Sequence, residues 1–198
     1  MVYKLNKIID LTSSDMNFET QKRYSSHGNG DFNREDFATL GENVIIEEGV
    51  RVFHPKSICI GNNVYLGHNT ILHGYHKGGI SIGDHTWIGQ ACFFHGAGGI
   101  RIGKAVGIGP TVKILTSVHI EADLSKPVIF CSLKFEPVAI GDGSDIGMGS
   151  ILLPGVEIGE GSIIGAGSVV TSNVPPYTIF AGNPAKYLRK RLGKKSLE

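Results

Sequence analysis

Excess charge of either sign is missing: nineteen Lys and Arg face eighteen Asp and Glu across 198 residues, for a formal net charge of +1. Without a global field the chain has no means of attracting a polyanion or an anionic membrane, and the basic run Lys186 to Lys195 is a local exception. Cysteine is scarce too. Cys59, Cys92 and Cys131 are widely spaced with no C-x-x-C pair, which excludes a disulfide framework and a zinc knuckle and leaves small thiols of the core or surface. No apolar run is long enough to span a bilayer. Met1 to Asp15 mixes Lys4, Lys7 and Asp10 with short apolar stretches and lacks the apolar region of a secretory signal, so a cytoplasmic protein with no nucleic-acid partner and no membrane insertion is expected.

Glycine, by contrast, is plentiful at 28 residues, and from about residue 40 it interrupts any helical pattern. Its spacing defines a repeat. Segments starting at Leu40, Ile60, Ile82, Ile102, Ile140 and Ile158 align as runs of hexapeptides, and in each an aliphatic lead recurs six residues later, at Ile46, Leu66, Ile88, Ile108, Ile146 and Ile164. Eleven of these twelve leads are followed by glycine, Glu47 being the exception, which sets the pattern beyond chance.

A period of six fits neither a helix nor simple alternation; it fits a short strand plus a tight corner with the lead residue inward. Three such sides close a coil of eighteen residues, the step from Ile140 to Ile158. Gly78-Gly79 and Gly98-Gly99 mark small insertions in earlier coils, and the long step from Ile102 to Ile140 places one excursion between Thr116 and Pro137. The expected architecture is all-β: a prism of about six coils that resembles the left-handed parallel β-helix family, with residues 40–174 as the coil body. Residues 1–39 lack the repeat and read as an N-terminal arm. Pro175-Pro176 stops the coil, so 175–198 read as a C-terminal segment, with a short basic helix expected over Ala185 to Leu192.

Beyond the repeat, KILTSVHI, FEPVAIGDG, LLPGVEIGEGSIIGAGSVVT and VPPYTIFAGNPAKYLRK resemble the hexapeptide acyltransferases, in particular the galactoside, maltose and surface-polysaccharide acetyltransferases. The likeness is close from Ile102 to Arg189. It implies an acetyl-CoA-dependent acetyltransferase with a sugar acceptor, acting as a homotrimer whose neighbouring subunits share a site. His119, seventeen residues after Ile102, stands where the resembling enzymes carry their catalytic histidine. An imidazole of ordinary pKa about 6.5 can take a proton from a sugar hydroxyl near neutrality. The Thr116 carbonyl or the Glu121 carboxylate is the expected partner fixing its tautomer.

The same likeness points to the backbone N–H of Met148 or Gly149 for the oxyanion, although Gly147 and Gly149 read equally as corner residues. Gly147, Ala166, Thr171 and Ser172 match positions along the pantetheine arm of acetyl-CoA. Lys186 and Arg189 match those meeting its phosphates, or else belong to a solvated tail. Trp87 and His95 are the expected acceptor contacts. Ser172 stands in place of the usual lysine and Ile120 follows His119; Gly89 stands where those enzymes carry an acceptor-binding asparagine and residues 1–39 lack their helical pattern, so an O-antigen, capsule or nucleotide-linked sugar is expected rather than a free disaccharide.

Three alternatives stay open: N-acetylation of a nucleotide-linked amino sugar, a non-catalytic scaffold, and a metal protein. The last rests on LGHNTILHG, which is similar to an element of the gamma-class carbonic anhydrases and carries His68 and His73. Zinc chemistry needs a third protein ligand from an earlier coil, and the residue expected to stack on His73 there is Phe53. Moving one coil downstream pairs His73 with His95 but puts Gln90 where His68 was. No metal is therefore expected.

Overall fold

The computed structural model describes residues 25–75, 77–121 and 124–192. Most of the N-terminal arm and the end of the basic tail lie outside the described residues. The described residues form two compact units, one of 27–75, 77–117 and 135–192 and one that includes 118–121 and 124–134.

The larger unit is a left-handed parallel β-helix, and among the described residues it makes six full coils and part of a seventh. Its first face stacks Thr39–Leu40, Ile58–Ile60, Ile80–Ile82, Ile100–Ile102, Val138–Ile140 and Glu157–Ile158. The second begins at Ile45–Ile46, runs through Tyr65–Leu66, Trp87–Ile88, Gly107–Ile108, Asp145–Ile146 and Ile163–Ile164, and ends on Thr178–Ala181. The third stacks Arg51–Phe53, Ile71–His73, Phe93–His95, Lys113–Leu115, Ile151–Leu152 and Val169–Val170. Register is exact from coil to coil, with Ile60 on Ile82, Ile82 on Ile102 and Ile102 on Ile140.

Ten of the twelve aliphatic leads are at most 3% exposed; Leu40 and Ile46 of the first coil are half-covered, where Phe32 and Phe37 pack edge to face against the end of the core. The third face has no lead-plus-glycine signature. Its inward residues are Val52, Leu72, Phe94, Ile114, Leu152 and Val170, all buried. Apolar burial of this kind contributes about 25 cal/mol per Å², and an uninterrupted column lets each coil complete the core of the next.

The glycine after each lead is not there for its backbone freedom, since none of the eleven has a positive φ. It gives room. A Cβ on Gly83 would come 2.6 Å from the Gly103 carbonyl carbon, and one on Gly109 2.5 Å from the Met148 amide nitrogen, because the next coil's backbone lies directly against it. The turn itself falls two residues later: all twelve residues three beyond a lead are left-handed, with φ between 52° and 78°. Seven of these are not glycine, namely Asn43, Asn63, Asn69, His85, Ala91, Ala105 and Thr111. Asn tolerates that conformation; Ala, His and Thr adopt it because the stacked coils on either side demand it.

One position further on, small hydroxyls close the hydrogen-bond accounts of the corner. Thr70, Thr86, Ser144 and Ser150, all buried, donate to the carbonyls of Gly89, Gly103, Gly159 and Gly165 in the next coil at 2.9, 3.0, 3.0 and 3.2 Å. Cys92 occupies the same position with its Sγ 3.3 Å from the Gly109 carbonyl, and burial pushes its thiol up to about 11. That thiol is structural and unreactive.

The C-terminal segment departs from expectation. Instead of a helix, Lys186–Lys190 is a strand that doubles back antiparallel to Thr178–Ala181 and completes the second face. The helical reading weighed charge and propensity, whereas the open edge left by the last coil offers unpaired N–H and C=O groups that a following strand can satisfy. A register shift at Leu188 pairs Lys186 with Ala181 and Arg189 with Ile179. Lys186 and Arg189, three apart, thereby share one side of the strand, as they would have on a helix.

Two glycine exchanges should have opposite effects on the urea midpoint. Ala105→Gly, at an exposed left-handed corner, relieves backbone strain and should stabilise by up to about 1 kcal/mol. Gly83→Ala forces the next coil's backbone away and should cost about 1–3 kcal/mol.

Candidate active site

The excursion leaves the coil at Thr116 and is recaptured at Glu136, whose N–H donates to the Thr116 carbonyl at 3.0 Å. Ser117–His119 pairs with Leu133–Phe135 as a short ribbon, and Ile120 N–H donates to the Ser132 carbonyl at 2.8 Å. This pairing brings His119 Nδ1 to 3.1 Å from the Cys131 carbonyl, so the expected partners, the Thr116 carbonyl and Glu121, give way to a backbone acceptor on the returning arm. A carbonyl can only accept; Nδ1 therefore carries the proton, and Nε2 of neutral His119 has a free lone pair.

On the prism, Met148 and Gly149 occupy the corner between the second and third faces, and their amides differ. Gly149 N–H donates to the Pro110 carbonyl at 2.9 Å and is committed to coil stacking, which removes it from the expected oxyanion donors. Met148 N–H has no partner among the described residues, and its side chain is exposed. One coil on, Gly167 N–H is taken by the Met148 carbonyl at 2.8 Å while the amide of Ala166 is free in the same way. The corner thus has unpaired amide donors on two successive coils, and one coil earlier the equivalent residue is Pro110, which has no N–H. Gly147 donates its own N–H to the Ile164 carbonyl at 2.8 Å, and its missing side chain makes room for the Ala166 backbone. Thr171 and Ser172 are exposed just beyond the last third-face strand, and Lys186 and Arg189 are exposed on the returning strand.

Trp87 and His95 do not share a face. Trp87 projects from the second face, stacked on Tyr65 at 5.7 Å with the rings only 4° from parallel. His95 projects from the third, in one column with Phe53 and His73. His68 is separate from both; it sits at a corner with Nε2 3.5 Å from a Glu47 carboxylate oxygen. What joins His73 instead is a group that spacing did not reveal. His27 and His54 lie with their rings 5.0 and 5.7 Å from His73, and Tyr75 stands at 5.4 Å. Burial, reinforced by His27, His95 and His54, holds His73 down to about 4, and burial with His27 lowers His95, so both are neutral at physiological pH.

Residues 137–172 match the model of the bacterial transferase hexapeptide family (six repeats). The chain is 34% identical over 167 residues to a dTDP-4-amino-4,6-dideoxy-D-glucose acyltransferase of Escherichia coli, covering 82% of this chain and 86% of that protein. It belongs to the hexapeptide transferase family. Galactoside O-acetyltransferase of Escherichia coli is a further relative, 32% identical over 158 residues that cover 79% of this chain and 66% of the other. Among solved structures, AntD, an N-acyltransferase from Bacillus cereus in complex with dTDP and 3-hydroxybutyryl-CoA, superposes with a TM-score of 0.72 at 25% identity, covering 86% of this chain and 94% of that one. A hexapeptide-repeat acetyltransferase from Vibrio cholerae, complexed with acetyl coenzyme A, does so with a TM-score of 0.62 at 29% identity, covering 81% and 74%.

A long-range proton–nitrogen correlation spectrum of this family member should show neutral His119 as the Nδ1–H tautomer. An Nε2–H pattern would mean that the Cys131 carbonyl does not hold the ring.

Proposed function

We propose that this hexapeptide transferase is an acetyl-CoA-dependent acyltransferase that acetylates a sugar hydroxyl of a surface polysaccharide or its precursor, with His119 as general base. The observation that carries the reading is the contact of His119 Nδ1 with the Cys131 carbonyl, which leaves Nε2 the only proton acceptor on the ring. The acceptor hydroxyl gives its proton to Nε2 as its oxygen attacks the thioester carbonyl carbon, whose oxygen becomes an oxyanion. An amide N–H is the appropriate donor to that charge, and Met148 has one to offer where Gly149 does not. Collapse breaks the carbon–sulfur bond, and the His119 imidazolium returns its proton to the departing CoA thiolate. Acetyl ester and free CoA result.

The acyl donor lies along the corner of Gly147 and Ala166, where the free Ala166 amide supplies a hydrogen bond to the pantetheine arm and Thr171 and Ser172 border its path. Lys186 and Arg189, brought to one side of their strand by the register shift, meet the CoA phosphates. On the acceptor side, the parallel Tyr65–Trp87 pair offers a flat apolar platform suited to a sugar or base ring. His95 is then not part of the same acceptor contact within one protomer. A groove along one corner of a prism is open on one side, and a homotrimer closes it with a neighbouring subunit. Among the described residues no helix is long and apolar enough to cross a membrane.

Similarity to a dTDP-amino-sugar acyltransferase and to AntD favours a second reading, transfer to the amine of a nucleotide-linked amino sugar. The two differ in what the base must do, since a neutral amine is already nucleophilic. Thiol release from acetyl-CoA, measured with hydroxyl and amine sugar acceptors, decides between them. For a hydroxyl acceptor, His119→Ala should lower kcat by about 100-fold or more; release that needs an amino sugar and survives the substitution would establish the amine reading, and no acceptor-dependent release at all would overturn both.

Met148→Pro isolates the amide. The same corner one coil earlier is already Gly109-Pro110, so the fold accepts proline there. The variant should keep its melting temperature and acetyl-CoA affinity while kcat falls by about 10²–10³. Unchanged kcat would remove Met148 from the mechanism.

A further inference from the structure

Three imidazoles converge at the start of the β-helix, apart from the residues assigned to acyl transfer. His73 projects outward from the second coil on the third face, its Nε2 buried and without a hydrogen-bond partner. His54 follows the strand Arg51–Phe53 of the first coil. Phe53 is the residue in register with His73, but His54 is left-handed, with φ of 55°, and this turn lays its ring against that of His73, stacked within 13° of parallel. His27 comes from the segment preceding the coils. That segment is fastened to the first coil by the Val52 N–H, which donates to the Gly30 carbonyl at 2.9 Å, and by the ion pair of Arg51 with Asp31. Gly30 is required at this crossing, since a Cβ would sit 2.9 Å from the Phe53 ring.

The ligating nitrogens of His27, His54 and His73 all lie within 4.8 Å of one another. Nitrogens held at about 2.0–2.1 Å around a tetrahedral zinc stand about 3.3 Å apart, with ring centroids about 5 Å apart. The observed centroid separations are 5.0, 5.7 and 6.4 Å, so small rotations of His27 and His54, both on the exposed side, close the set. An unpaired buried imidazole nitrogen costs free energy unless something accepts its lone pair or its proton. Two further imidazole nitrogens within 4.8 Å of a His73 ring nitrogen, with no carboxylate in the set, are donors suited to a borderline-soft divalent ion.

We propose that His27, His54 and His73 form a three-histidine site for zinc or a similar divalent transition metal, with the fourth coordination position open to solvent or a small ligand. Tyr75 and His95, ringed around His73 at 5.4 and 5.7 Å, form the wall behind it. The metal joins three stretches of chain that are distant in sequence: the pre-coil segment, the end of the first coil and the second coil. It therefore fastens the N-terminal end of the prism, where the first coil's leads Leu40 and Ile46 are only half-covered.

The test uses untagged full-length protein loaded with zinc, dialysed against metal-free buffer and analysed for metal content, beside His27→Ala and His54→Asn. Both substituted residues are exposed, and Asn accepts the left-handed backbone at 54. Expected are about one zinc per chain, affinity at least about 100-fold weaker in either variant, a cobalt(II) derivative with the intense visible absorption of tetrahedral coordination, and a zinc-dependent rise in melting temperature that both variants lose. Acetyl transfer by either variant should match the parent, which keeps this test separate from the transferase reading. Zinc that does not survive dialysis, or that binds equally well in both variants, would overturn the site and leave the cluster as packed imidazoles.

Discussion

Everything in this molecule depends on the distance at which one coil's backbone meets the next. Parallel hydrogen bonding fixes that spacing near the strand separation of any sheet, about 4.8 Å, and at eleven corners the residue after the lead has no space for a Cβ. Close stacking then imposes a left-handed residue two places on, even where Ala, His or Thr must adopt it. A hydroxyl one place beyond answers the carbonyl that the corner turns inward. One constraint thus dictates three positions after each lead of the first two faces: a glycine directly after it, a positive φ three places after it and a small or apolar residue four places after it.

The same constraint produces the candidate chemistry. Ladder hydrogen bonding consumes nearly every strand amide but skips the middle of each corner, so the amides of Met148 and Ala166 have no partner among the described residues. Unpaired amides on successive coils can serve an extended polar molecule or a developing oxyanion. Proline at 110 ends that row on one side, and the returning strand Lys186–Lys190 supplies cationic side chains at the other end of the chain. His119 lies on the excursion, where the ribbon's backbone rather than a side chain sets its tautomer. A carbonyl does this without adding a second titrating group.

The histidines illustrate how stacking groups residues that sequence spacing separates. His68 and His73 belong to one suggestive string, yet one is at a corner beside Glu47 and the other is on a face beside His54 and His27. The column prediction of Phe53 on His73 is correct for the backbone. It missed His54 because a left-handed residue directly after a strand sends its side chain where the alternation rule does not look. His27 was legible by no periodic rule, since it reaches the cluster through the attachment of Gly30 and Asp31 to the first coil.

The sequence by itself determined the prism, because a repeat of lead and glycine records a local geometric demand that each coil makes of its neighbour, and twelve copies of the demand leave one architecture. It also determined the family and the acyl-CoA chemistry expected of it, through contiguous motifs around His119 and after Leu152. Tertiary structure alone decided the rest: that Lys186–Lys190 is a strand, because an open sheet edge outweighs helix propensity; that Met148 rather than Gly149 has an amide unpaired among the described residues, because only one of two adjacent residues is paired with Pro110; and that three histidines meet, because the folding of a non-repetitive segment onto a repetitive one follows no period.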